Sequence, residues 1–257
     1  MSKRNSQEAK RAARERLRVE REKQAKKEKT RRQLVVGASV VAVLAVVAGI
    51  TVFVAGMNDD EKGGSGTDMA VTTAGAKAKK TIDVYEDLRC PACAQFEQTM
   101  GETLQKGAED GKYKLRIHLG SIIDDNMGGE GSKNAARALG AAKAVNVKAF
   151  TDYHKALYST EFHPPEQEDK FADNKYLLKV AEEVPALKGN KTFEKAVKSE
   201  KYDKWAKDMI SSFNGAEIEG TPTVKIDGKK VEPQNLPAEL KKMGVDLKAG
   251  GEKEEKK

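Results

Sequence analysis

From Thr81 to Glu86 (TIDVYE) apolar and polar side chains alternate among β-formers, the period of a strand. The period changes after a short loop, Asp87-Leu88-Arg89, and the motif Cys90-Pro91-Ala92-Cys93. Beyond it Cys93, Phe96, Met100 and Leu104 recur at spacings of three and four, which predicts a helix with one apolar face. Lys112 to Leu119 (KYKLRIHL) predicts a second strand. Helical patterns follow at Ser132–Val145 with Ser132 as N-cap, and at Lys148–Tyr158 with aromatics at 150, 153 and 158. They continue at Asn174–Val184, and at Thr192–Phe213 with Trp205 and Met209. Thr223–Ile226 and Lys229–Val231 flank Asp227-Gly228, the signature of a hairpin. Gly128–Lys133 (GGEGSK) lacks the Gly-Lys-Ser/Thr order of a phosphate loop and reads as a flexible loop ending at the Ser132 cap.

A different pattern precedes all this. Leu34 to Met57 is an uncharged apolar run of 24 residues. At ~1.5 Å per residue it reaches ~36 Å, enough to cross a ~30 Å hydrocarbon core with some tilt. Basic residues stand before the run and Asn58-Asp59-Asp60-Glu61 after it. The positive-inside rule then puts the N-terminus in the cytoplasm and the rest outside, on a retained signal anchor. Five segments are expected: a basic cytoplasmic tail (1–33), the transmembrane anchor (34–57), a flexible linker (58–78), one domain (79–247) and a charged, disordered tail (248–257).

Charge refines the picture. The chain carries a formal +7, but residues 1–33 hold 14 Lys/Arg against 5 Asp/Glu, so +7 less +9 leaves about −2 for the remainder. Attraction to anionic lipid headgroups accounts for such a tail, and nucleic-acid binding by the domain loses its support.

Two cysteines and three histidines are too few for a disulfide-stapled scaffold or a four-cysteine zinc site. Cys90 and Cys93 therefore act together. Pro91 suits the first helical position and makes Cys90 the N-cap, its sulfur at the positive end of the helix dipole. That setting favours a thiolate, whereas Cys93 points to the core side of the helix. The expectation is a redox pair: Cys90 the reactive thiol, Cys93 the resolving one, Pro91 and Ala92 the intervening motif, with no metal and no cofactor beyond the Cys90–Cys93 disulfide. His118 and His163 could join the thiols in a copper site, a reading weaker than that of ordinary strand and loop histidines.

The strand-loop-CPAC-helix of residues 81–104, the strand at 112–119 and Gly220-Thr-Pro-Thr-Val224 together resemble a thioredoxin-fold thiol-disulfide oxidoreductase. The resemblance implies a cis-proline loop at Thr221-Pro222, packed beside the disulfide and shaping the substrate site. Pro222 follows Cys93 by 129 positions, more than a plain thioredoxin uses, and the intervening chain reads as helices. A helical insertion in a thioredoxin-like α/β fold is similar to the membrane-anchored DsbA-like branch of the actinobacterial type, over roughly residues 80–245. That branch implies exported, thiol-containing protein substrates and reoxidation by a quinone-linked membrane partner.

The chain departs from the pattern at three positions. Arg89 stands where thioredoxins usually have Trp. Ala92 replaces the His of many strong DsbA oxidants. Val84 occupies the place of the buried acid, six residues before Cys90, so Asp83, Glu86 and Asp87 are neighbours among which strand alternation does not choose. Disulfide formation in exported proteins is the leading expectation. A reductase or isomerase on the same fold, and a tethered metal- or protein-binding module, are its rivals.

Overall fold

The structure is a computed structural model and describes residues 69–247. The expected anchor, basic tail and charged C-terminal tail lie outside the described residues. Among those described, no helix is long and apolar enough to cross a membrane.

Five strands form one mixed sheet: β1 (Val71–Ala74), β2 (Thr81–Glu86), β3 (Lys114–Leu119), β4 (Thr223–Ile226) and β5 (Lys229–Val231). Their order is β1-β3-β2-β4-β5, with β2 and β3 parallel and the other neighbours antiparallel. β2 is central and buried from Ile82 to Glu86, so it is covered on both faces. Its pairings position the site. Tyr85 opposes Thr223 on β4 and Glu86 opposes Leu119 on β3, so the segment before Thr223 arrives beside the end of β2, where the cysteine loop begins.

After β2 comes α1 (Pro91–Phe96), a single π turn (Glu97–Gly101) and α2 (Glu102–Glu109). Between β3 and β4 lie α3 (Ile122–Met127), α4 (Gly131–Val145), α5 (Val147–Leu157), α6 (Asn174–Ala181), α7 (Lys191–Lys198) and α8 (Asp203–Gly215). A short helix α9 (Leu236–Lys242) follows β5. α4 is the hub of the insertion, packing against α5, α7 and α8. Its buried face is Ala135, Ala136, Ala138, Leu139, Ala141 and Ala142. Such small side chains let neighbouring helices approach closely without voids. Local caps fix the ends: Asn146 Oδ1 accepts from Ala149 N (2.7 Å), Asp173 Oδ1 from Lys175 N (2.8 Å) and Asn190 Oδ1 from Thr192 N and Phe193 N (3.1 Å each).

Four expectations are corrected. Val71–Ala74, within the expected linker, forms the edge strand β1 paired with β3. The helix expected over Thr192–Phe213 is two helices, because Glu200 takes a left-handed turn (φ 51°) between them. The apolar face starting at Cys93 passes through a π turn. Ser132 is not the N-cap of α4: the helix starts at Gly131, and the Ser132 hydroxyl donates to Asp87 Oδ1 at 2.6 Å.

Candidate active site

Cys90 stands at the N-cap of α1 in extended backbone (φ −74°, ψ 119°), with Pro91 in the first turn. Pro91 lacks an N–H where none would be paired, so it opens the helix at no hydrogen-bonding cost. Both cysteines are free thiols. Cys90 is 7% exposed and Cys93 fully buried, while Pro91 and Ala92 are exposed. The Thr221–Pro222 peptide is cis, and the Cys90 thiol donates to the Thr221 carbonyl at 3.5 Å. The sequence-predicted residues Cys90, Cys93, Thr221 and Pro222 are thus brought to one place from both ends of the domain. His118 and His163 are not partners of the sulfurs. His118 Nε2 meets Asp83 Oδ1 at 2.8 Å, and His163 Nε2 donates to the Leu88 carbonyl at 3.1 Å.

The two thiols titrate in opposite directions. A hydrogen bond from Cys93 is the largest influence on Cys90; burial opposes it, while the Thr221 side chain and the backbone N–H groups of Cys93 and Ala92 assist, lowering Cys90 to about 6. Burial, the bond to Cys90 and the nearby Glu86 carboxyl push Cys93 well above the ordinary thiol value. The anion of the reduced pair therefore resides on Cys90.

Beneath the pair lies a cluster that the pattern did not expose. Glu86, fully buried at the end of β2, meets His154 Nε2 of α5 at 2.8 Å. Glu97, from the π turn, lies 3.8 Å from His154 Nδ1. Burial raises Glu86 to about 8, a hydrogen bond from Glu97 acting against the rise and the Cys90 charge with it. Burial and then Glu86 raise Glu97, and burial lowers His154. At neutral pH the carboxyl pair retains a proton beside a neutral imidazole. Gly101 makes room, since a Cβ there would collide with Glu97 Oε2. The Tyr158 ring packs edge-on to His154 at 5.0 Å, and burial raises its phenol, with Glu86 and Cys93 adding. Of the three acids near the motif, Asp83 pairs with Arg116 (2.6 Å) and His118, and Asp87 accepts from Ile123 N (2.8 Å) and Ser132. Glu86 is the one coupled to both sulfurs. Its position at the motif-proximal end of the strand was a usable signal; its partners Glu97 and His154 left none.

A mixed sheet whose central strand feeds a helix N-terminal CPAC beside a cis-proline loop defines a class, and comparison agrees with it. A family model described as thioredoxin matches residues 67–243, and the chain belongs to that family. Solved structures similar to it are reduced DsbA of Mycobacterium tuberculosis (26% identity, TM-score 0.57, 70% of this chain and 94% of that one) and reduced DsbG of the same organism (27%, 0.59, 71% and 90%). A third is MdbA, a thiol-disulfide oxidoreductase from Actinomyces oris (27%, 0.53, 66% and 81%). The serine/threonine-protein kinase PknE of M. tuberculosis is 27% identical over 114 residues, 42% of this chain but 20% of the kinase, so the match spans one fifth of that relative. The chain is a DsbA-like protein thiol-disulfide oxidoreductase.

Proposed function

We propose that this oxidoreductase introduces disulfides into exported proteins outside the cytoplasm, held to the membrane by residues 34–57. The observation that carries the direction is the asymmetry of the thiols. A stabilised Cys90 thiolate favours the reduced form, so the disulfide is readily given away. A substrate thiolate attacks Cys90 of the oxidised pair and expels Cys93, which takes a proton from the Glu86–Glu97 pair. The second substrate thiolate then attacks the substrate sulfur of the mixed disulfide and releases Cys90. Two electrons pass from substrate to enzyme, and a quinone-linked membrane partner removes them, restoring the Cys90–Cys93 disulfide while Cys93 returns its proton to the carboxyl pair. Thr221, its carbonyl at the nucleophile, supplies the substrate-binding edge together with Pro222.

The full-length chain, equilibrated in graded thiol buffers and read by alkylation shift, gives the potential of the couple. A value well above that of cytosolic reductants is expected; a strongly reducing one would make the protein an extracytoplasmic reductase. Cys90→Ser should abolish exchange, and Cys93→Ser should accumulate substrates as mixed disulfides. Equal trapping by both variants would refute the assigned roles.

A further inference from the structure

The residue before the nucleophile is an arginine that is 3% exposed. Arg89 Nη1 donates to Asp124 Oδ1 and to the Gly128 carbonyl, both at 2.8 Å, and Nη2 donates to the Glu166 carbonyl at 3.0 Å. Asp169 Oδ1 lies 3.3 Å from Nη1. These acceptors are themselves fixed. Asp124 accepts from Ser132 N (3.1 Å) and Lys133 N (3.0 Å), and Asp169 from Glu130 N (3.0 Å) and Gly131 N (2.9 Å). Both carboxylates thus cap the start of α4 while facing Arg89.

The glycine-rich run that resembled no phosphate loop has its use here. A Cβ on Gly129 would stand 2.6 Å from Arg89 Nη1, and one on Gly131 2.9 Å from Arg89 Cδ, so only glycine leaves space for the guanidinium. Both positions also abut Asp169. The Asp87–Cys90 loop is gripped at its other residues as well: Ile123 N and Ser132 hold Asp87, and His163 holds the Leu88 carbonyl.

A buried guanidinium is tolerated when its terminal donors are engaged, as both Nη groups are here while Nε has no hydrogen-bond partner among the described residues, and its planar fork fixes direction as well as distance. Arg89 cannot move without breaking bonds to separate stretches around 124–131 and 166–169. Cys90 follows it directly, in the extended N-cap backbone that opens α1, with its sulfur 3.5 Å from the Thr221 carbonyl. Whatever fixes Arg89 therefore fixes where the sulfur sits.

We propose that Arg89 is a positioning residue for thiol exchange: clamped by Asp124, Asp169 and the glycine loop, it holds the Asp87–Cys90 loop so that the sulfur stays on the helix N-terminus. The inserted segment thereby sets the reactivity of the Cys90 thiol. The proposal rests on Cys90 being the exchanging thiol.

The test follows iodoacetamide alkylation of Cys90 against pH in the reduced full-length chain, with thermal unfolding measured alongside. Arg89→Lys keeps the charge but loses the fork, and Gly131→Ala presses on the clamp from its far side. Phe193→Leu removes buried volume in α7 and serves as a control of lowered stability. Both clamp variants should move the thiolate midpoint upward and slow alkylation at pH 6 by about threefold or more, since one pH unit corresponds to tenfold in thiolate. The control should keep the wild-type profile. Wild-type profiles in Arg89→Lys and Gly131→Ala, with lower thermal midpoints, would reduce Arg89 to a structural support and overturn the proposal, as would an equal shift in the control. A wild-type chain whose Cys90 shows no exchange with protein thiols would instead fail the reading beneath it, before any variant is compared.

Discussion

Cys90 and Cys93 carry the same thiol three positions apart, and their surroundings divide the chemistry between them. Cys90 draws on hydrogen bonds from Cys93, the Thr221 side chain and backbone N–H groups, whereas Cys93 has burial and a carboxyl pair against it. Alkylation of wild-type Cys90 should therefore rise through a midpoint of about 6, with Cys93 unreactive over the same range. Stopped-flow alkylation with peptide mapping checks both statements. Glu86 gives a second prediction. Its value is about 8 in the folded protein against an ordinary 4.5, so between those limits the native state holds a proton that the unfolded state has lost. Stability must then fall as pH rises through that window, by at most about 1.4 kcal/mol per unit from this group. Glu86→Gln keeps a neutral side chain at every pH and should escape that decline. Urea unfolding at pH 5 and pH 8 should show the variant gaining on wild type by a few kcal/mol, on the order of the linkage limit. A constant difference would mean that Glu86 does not titrate in this range.

At the scale of elements, small residues decide how helices meet. Gly140 lies mid-helix in α4, where glycine is a poor helix former by ~1 kcal/mol relative to alanine. A Cβ there would stand 2.6 Å from Trp205 Cε3 and 3.0 Å from Tyr202 Cβ, so the glycine is what lets the Trp205 indole lie against the helix. Gly140→Ala should accordingly lower stability by about 1–3 kcal/mol, the usual cost of overpacking, despite its better propensity. Chemical denaturation of the two proteins checks the sign. The same scale explains what could be read beforehand. β2, the Pro91-initiated helix and the β4–β5 hairpin declare themselves through nearest-neighbour rules: alternation, a proline at the first turn, Asp-Gly between strands. β1 did not, because four residues, VTTA, are too short to display a period and are held by their pairing with β3. The cap of α4 was misplaced because its carboxylates come from Asp124 and Asp169, the latter 38 residues beyond Gly131. The acid beneath the disulfide was left open because Glu86 finds its imidazole 68 positions away. Local chemistry was legible, and long-range polar pairing was not.

For the whole molecule, the potential of the couple and the stability of the fold are one quantity seen twice. Reducing the disulfide in the folded protein and in the unfolded chain closes a thermodynamic cycle, so an oxidising couple requires the reduced protein to be the more stable; about 30 mV corresponds to about 1.4 kcal/mol. The thiols give that difference a pH dependence. Cys90 ionises near 6 when folded and near 9.0 when unfolded, so its contribution is present above the unfolded value and lost as pH falls through about 6. Cys93 is shifted the other way, so above about pH 9 the unfolded chain ionises a thiol that the native state keeps protonated. The oxidised protein has neither thiol to titrate. The stability of the reduced form minus that of the oxidised form should therefore be flat below pH 6, climb to about pH 9 and then fall. One proton sets a ceiling of about 1.4 kcal/mol per pH unit on the rising limb, and solvent screening of the thiolate keeps the total gain below the full shift. Guanidinium unfolding of both redox forms at pH 5, 7, 8.5 and 10 measures the curve. A difference that stays level across the series would mean that the Cys90 thiolate is not what makes the reduced state stable, and the case for a disulfide donor would then have to rest on the potential alone.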